Sequence, residues 1–170
     1  IKEVLDKTTG FFKEKKMDSP RNEAELLMAY GLGLNRIDLY LKFEQPLKEP
    51  ELEKIRNLVR RRSLGEPMAY IVGSRGFFGE SFEVNPHVLI PRPETETLVE
   101  EACDWLSQQP IEEPRVLDLG CGSGCIGQSL LKKFSKSRLL AVDISKPAVE
   151  VAQKNADRLG LSERIHFLQM

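Results

Sequence analysis

The sequence has 170 residues, 41% of them hydrophobic and 30% charged, and its 25 basic and 26 acidic side chains leave a formal net charge of −1. This composition fits one sizeable domain or two small ones. It gives no basis for bulk attraction to nucleic acid or to an anionic membrane, and no apolar run reaches spanning length. The three cysteines, Cys103, Cys121 and Cys125, do not have the pattern of a disulfide framework. With only His87 and His166 as imidazoles, both remote from them in sequence, no zinc or other metal site is expected. No signal peptide is recognised, so the expected compartment is the cytoplasm.

Residues 1–70 read as a small helical bundle. Ser19 is placed to cap a helix and Pro20 fits its first turn. Ala24, Leu27, Met28 and Gly31 then follow at helical spacing until Gly31 and Gly33 break the run. The apolar segment 37–43 has no clear assignment. A second helix starts after Pro50, with Leu52, Ile55 and Val59 on one face, and Gly65 ends it. Arg60, Arg61 and Arg62 read as its solvated end. No residue here carries a catalytic signature, so the segment is a scaffold or a partner-binding module.

Between 71 and 91 the composition changes. Phe77, Phe78 and Phe82 suit a hairpin turning at Gly79-Glu80. His87 falls in a loop beside Pro86. Pro91 and Pro93 bracket Arg92 and hold an extended approach. A helix follows from Glu94, with Leu98, Ala102 and Trp105 along one side and Trp105 as a packing residue.

The rest alternates. Arg115–Gly120 is an apolar run suited to a covered parallel strand. Gly120, Gly122 and Gly124 form a turn, and Ile126, Leu130 and Leu131 begin a helix. Residues 139–144 make the next strand. Ser145 can cap the helix that carries Ala148, Val151, Ala152 and Asn155 as far as Gly160. Ile165–Met170 starts a third strand. The series is β-α-β-α-β, an α/β doubly wound sheet whose ligand crevice lies at the carboxyl ends of the strands. An open sheet of this kind is expected to continue beyond residue 170.

The glycine turn admits two registers. From Gly122, GSGCIG fits the dinucleotide fingerprint G-x-G-x-x-G. From Gly120, GCGSG follows directly on Asp118 and Leu119. In either, Asp143 at the end of the second strand can take ribose hydroxyls. A pyrophosphate is served by backbone N–H groups at a helix N-terminus, often with a cation. The 118–127 loop has no Lys or Arg and has Asp118 at its mouth. That carboxylate repels phosphate and suits an ammonium or sulfonium, which favours S-adenosylmethionine over NAD. Asp118 and Asp143 are also the residue type that caps helices and closes turns. No Lys-Ser or Lys-Thr pair closes a P-loop.

VLDLGCGSGCIG at 116–127, with AVDIS and AVEVAQKNADRLG after it, resembles the cofactor half of class I methyltransferases. GEPMAYIVG at 65–73, FFGESFEV at 77–84 and NPHVLIPRPETETLVE at 85–100 resemble more narrowly the glutamine N5-methyltransferases of peptide chain release factors. The run Pro91 to Glu96 is more specific than the glycines. The resemblance spans essentially all the chain. It implies a helical substrate-recognition domain at 1–70, a β-hairpin linker at 71–91, and the first part of a Rossmann-like S-adenosylmethionine-binding domain at 92–170. It implies cofactor contacts from Asp118, Gly120, Cys121, Gly122, Gly124, Asp143 and Ile144. It also implies a pocket border of Arg92, Pro93, Glu94, Thr95 and Glu96.

The activity so implied is methyl transfer from S-adenosylmethionine to the glutamine amide of the Gly-Gly-Gln motif in class 1 release factors, with S-adenosylhomocysteine as product. A monomer is expected, without membrane or direct nucleic-acid partners, in the cytoplasm or the mitochondrial matrix. The family's Asn-Pro-Pro-Tyr motif does not occur in these 170 residues, so this stretch alone is expected to be inactive, with no catalytic residue of its own. An NAD-dependent oxidoreductase and a nucleic-acid methyltransferase remain as alternatives.

Overall fold

Helical spacing of apolar residues builds the first part of the computed structural model, which describes residues 1–170 and divides into two units, Ile1–Val72 and Gly73–Met170. The first unit contains α1 (Lys2–Glu14), α2 (Pro20–Leu32), α3 (Arg36–Leu41), α4 (Glu49–Ser63) and α5 (Met68–Val72). Their buried faces meet in one core that includes Leu5, Phe12, Leu27, Met28, Leu39 and Ile55. α1 has no strong boundary signal of its own in the sequence, and the 37–43 segment is mostly α3.

Helix ends follow local chemistry. Pro20 opens α2, but the Ser19 side chain makes no capping bond; its carbonyl accepts the Glu23 N–H at 2.9 Å instead. Gly33, at φ 66°, closes α2 in the left-handed conformation that favours glycine. The Arg60–Arg62 run is not simply solvated. Arg61 donates twice to the Glu66 carboxylate, and Arg62 reaches Glu23 at 2.7 Å, tying the end of α4 to α2.

The second unit opens with a hairpin, β1 (Ser74–Phe77) and β2 (Glu80–Glu83). Its turn is Phe78-Gly79, one residue earlier than the sequence suggested. Both residues have positive φ, 48° and 78°, as a two-residue turn matched to strand twist requires. A short 3-10 turn, Pro93–Thr95, leads into α6 (Glu96–Ser107). The core stripe of α6 is Val99, Ala102, Cys103 and Leu106, packed with Phe77, Phe82 and Leu130. Leu98 and Trp105 lie off that stripe and are exposed, so Trp105 is not a packing residue. Both align at i, i+7, but the contacting face is one helical position further round.

Then come β3 (Arg115–Leu119), α7 (Cys125–Lys133), β4 (Arg138–Asp143), α8 (Lys146–Leu159) and β5 (Ile165–Gln169). The sheet is parallel in the order β3-β4-β5, with Leu117 beside Leu140 and Asp143 beside Gln169. Strands and helices alternate along a parallel sheet, a Rossmann-like arrangement. Leu131, Leu139, Ala141, Ala152 and Ala156 fill the space between strands and helices. The carboxyl ends of β3 and β4 therefore open at the N-termini of α7 and α8.

Candidate functional site

The turn between β3 and α7 is held by its neighbours rather than by its own side chains. The N–H groups of Gly120 and Cys121 both donate to the Val142 carbonyl, at 2.8 and 2.9 Å, and Gly124 donates to the Cys121 carbonyl at 2.7 Å. Gly120, Gly122 and Gly124 have φ of 75°, 53° and 77°, a region costly for residues with a Cβ. A Cβ at Gly120 or Gly122 would project into open space. The glycines thus bare a stretch of main chain that a ligand can approach closely.

Asp143 closes the turn from the next strand. Its Oδ2 accepts the Gly122 N–H and its Oδ1 the Ser145 N–H, both at 2.9 Å. Ser145 in turn caps α8 by accepting from the Ala148 N–H at 3.3 Å. Each carboxylate oxygen has two acceptor sites, so Asp143 keeps capacity for two more donors. Asp118 is turned toward α7, where its Oδ2 accepts the Gly127 N–H at 3.1 Å. Burial raises its pKa above the usual Asp value; the Gly127 bond opposes this and the nearby Asp143 charge adds to it. Burial likewise pushes the Cys121 thiol up to about 12, with Asp118 and Asp143 contributing, and raises Cys125. Both thiols are therefore neutral at physiological pH.

A crevice of about 110 Å³ runs between the turn and the segment before α6. Its lining includes Leu89, Pro91, Arg92 and Thr95 on one side and Gly120–Ser123 on the other, with Cys125 and Ile126. Arg92, Thr95, Gly120, Cys121 and Gly122, all singled out from the sequence, are brought together there. Asp118, Asp143, Ile144, Gly124, Pro93, Glu94 and Glu96 are not part of that lining. Glu96 instead accepts the Phe78 N–H at 3.1 Å, and Ile144 is exposed. Leu89, Ser123, Cys125 and Ile126 also line it without being marked as pocket residues by the sequence; the contiguity of Ser123, Cys125 and Ile126 with the glycines is the signal that points to three of them. No group of three or more His, Cys, Asp or Glu side chains converges as a metal site would. No helix is long and apolar enough to cross a membrane.

Residues 3–73 match the PrmC N-terminal domain and residues 112–170 match a methyltransferase domain. Release factor glutamine methyltransferase of Chlorobaculum tepidum is 45% identical over 99% of this chain. That of Rhodopirellula baltica is 44% identical over 99%, and that of Geobacter sulfurreducens 44% identical over 94%. This chain is similar to the release factor glutamine methyltransferases along nearly its whole length. It spans 58% of the length of the first two relatives and 55% of the third.

The likeness covers both the helical unit and the strand-turn-helix region, and so favours the methyltransferase reading of the glycine turn over the dinucleotide one. Gly127 nevertheless sits where the third glycine of a dinucleotide fingerprint would. A Cβ there would meet Leu139 Cδ2 at 2.7 Å and Asp118 Oδ2 at 3.0 Å. Close approach of helix to strand is the shared requirement, and it explains why both patterns fit the same stretch.

Proposed function

We propose that the protein transfers a methyl group from S-adenosylmethionine to the side-chain amide nitrogen of the Gly-Gly-Gln glutamine in class 1 release factors. The observation that carries this reading is identity of 44–45% with release factor glutamine methyltransferases across nearly the whole chain.

The residues present fit S-adenosylmethionine. The open space beside Gly120 and Gly122 leaves room for a ligand against bare main chain. The 118–127 loop carries no Lys or Arg, and two carboxylates stand close enough for Asp143 to raise the pKa of Asp118. That field disfavours pyrophosphate and suits a cationic ligand. Asp143 would take the ribose hydroxyls, and the glycine turn and Ile144 would border the nucleoside and methionine portions. Arg92, on the opposite wall, would face the ligand's carboxylate. Bound there, the cofactor supplies an electrophilic methyl on sulfonium sulfur.

An amide nitrogen is a weak nucleophile because its lone pair is delocalised into the carbonyl. The protein's task is therefore alignment and exclusion of water more than proton abstraction. Pro91, Arg92 and Thr95 line the crevice, and the 91–96 segment would border the pocket on the substrate side, with the Pro91 and Pro93 rings stiffening the approach.

Residues 1–70 serve as the substrate-recognition domain, 71–91 as the hairpin linker, and 92–170 as the first part of the cofactor domain. A hollow of about 400 Å³ between α1 and α4, lined by Val4, Phe11, Leu52, Ile55 and Val59 together with the polar or charged Glu3, Lys7, Thr8 and Arg56, supports a recognition role for the helical unit. The protein acts as a monomer in the cytoplasm or mitochondrial matrix, without membrane or direct nucleic-acid partners. The near-zero net charge supports the last point.

The test uses the full-length protein, methyl-labelled S-adenosylmethionine, and a release factor with or without its Gly-Gly-Gln glutamine. Label on the first factor and none on the second is expected. Label on neither, with cofactor bound, would remove the substrate assignment. Phe11→Asp is expected to weaken release-factor affinity while cofactor affinity holds; unchanged release-factor affinity would remove the recognition role of the hollow.

A further inference from the structure

Asn155 lies on α8 with no exposed surface, and both polar atoms of its carboxamide bond other segments, Oδ1 also accepting from Arg158 Nη2 of its own helix at 3.5 Å. Its Oδ1 accepts the Glu83 N–H at 2.7 Å. Its Nδ2 donates to the Glu83 carbonyl at 3.1 Å and to the Ser123 carbonyl at 3.0 Å. Glu83 is the last residue of β2. Immediately after it, the Val84 N–H is held by the Gly73 carbonyl at 3.0 Å, and the chain then runs on to Leu89, Pro91, Arg92 and Thr95. Ser123 belongs to the glycine turn. The two main-chain positions gripped by Asn155 are therefore the roots of the two walls of the crevice.

The grip is specific to a carboxamide. A donor and an acceptor on one planar group match the N–H and C=O of a single residue, and the second donor hydrogen serves Ser123. Aspartate would keep the acceptor and place a second oxygen against two carbonyls. Alanine would leave one N–H and two C=O groups short of a partner in the interior. A helix that needed only to pack at this position would be served by an apolar residue, as it is at Val151, Ala152 and Ala156.

We propose that Asn155 is a positioning residue for the cofactor crevice, its carboxamide setting the 84–95 segment against the 120–126 turn and so the affinity for S-adenosylmethionine. The identity of the ligand rests on the methyl-transfer reading; the clamp itself does not.

The test compares Asn155→Ala and Asn155→Asp with Val151→Ala, a cavity-forming change on the same helix, in the full-length protein. Asn155→Ser replaces the alanine variant if that chain does not fold. Amide hydrogen exchange of the free proteins is read first. In Asn155→Ala, the amides of 84–95 and 120–126 are expected to exchange roughly tenfold faster than in the parent, with no such local change in Val151→Ala. Calorimetric titration with S-adenosylhomocysteine is read second. Binding is expected to weaken roughly tenfold in Asn155→Ala and further in Asn155→Asp, and in turnover the loss falls on KM for the cofactor rather than on kcat.

Unchanged exchange in both segments, or an equal loss of affinity in Val151→Ala, would overturn the proposal. Faster exchange together with a parent protein that does not bind S-adenosylhomocysteine would keep the clamp and remove the methyl-transfer reading instead.

Discussion

Asp143 Oδ2 accepts the Gly122 N–H at 2.9 Å, so the acid that ends β4 also shapes the turn that ends β3. Its other oxygen takes the Ser145 N–H two residues on, the local bond typical of an aspartate-initiated turn. The turn-forming and ligand-binding roles of this residue type therefore coincide in one side chain. Asp143→Ala is expected to leave two N–H groups unpaired, cost about 1–2 kcal/mol of stability and weaken S-adenosylhomocysteine binding. Denaturant unfolding and calorimetry measure the two effects. Full affinity in the variant would show that the carboxylate serves the turn alone.

Much of the second unit was legible in the sequence because its local signals agree. A covered parallel strand needs a continuous apolar run, as in β3 and β4, and a turn with three positive φ values needs glycines. The first helix and the contacting face of α6 were less legible. α1 has Gly10 and few strong boundary signals, and Leu98 and Trp105 share an apolar spacing without sharing the core. Least legible were the polar anchors. Asn155 meets Glu83 across 72 positions and Arg164 meets Phe134 across 30. Nothing local in either residue announces such a partner; Asn155 reads only as one more position on the inner face of α8.

Gly127 lets α7 pack closely on the sheet. Because a Cβ would fall 2.7 Å from Leu139 Cδ2 and 2.9 Å from its Cδ1, Gly127→Ala forces a buried leucine and the Asp118 carboxylate to move. The higher helix propensity of alanine offsets part of this. A net loss of about 1–3 kcal/mol is expected, with S-adenosylhomocysteine affinity also falling because the Asp118 to Gly127 bond is disturbed. Equal or greater stability than the parent in urea unfolding would show that Leu139 repacks freely.

Arg164 closes the other end of α7. Its Nη1 donates to the carbonyls of Phe134 and Ser135 at 3.0 Å and of Ser137 at 3.3 Å, and its Nη2 to Leu131 at 3.0 Å. These include carbonyls left without helical partners, at the negative end of the helix dipole. Arg164→Ala is expected to cost about 2 kcal/mol. Arg164→Lys should recover only part, since an ammonium cannot reproduce the planar fork. Full recovery by lysine in thermal unfolding would reduce the contribution to charge alone.

Glu25 gives the first unit a pH-dependent contribution to its stability. Its side chain is 4% exposed, and Arg21 at 2.8 Å, Arg36 at 2.5 Å and the Tyr40 hydroxyl all donate to it. Burial alone would raise its pKa, but those three donors outweigh burial and hold it below the usual 4.5. A carboxylate with a depressed folded-state pKa stabilises the fold above its unfolded value, and that contribution is lost as pH falls through the folded value. The arginines are about half exposed, so solvent screens part of the attraction. Glu25→Gln is expected to lower stability by about 1–3 kcal/mol at pH 7. The gap between parent and variant should close progressively as pH drops below 4.5. Urea unfolding of both proteins at a series of pH values measures that gap directly; a gap independent of pH would mean that shape and neutral hydrogen bonding, rather than the charge, hold α2 to α3.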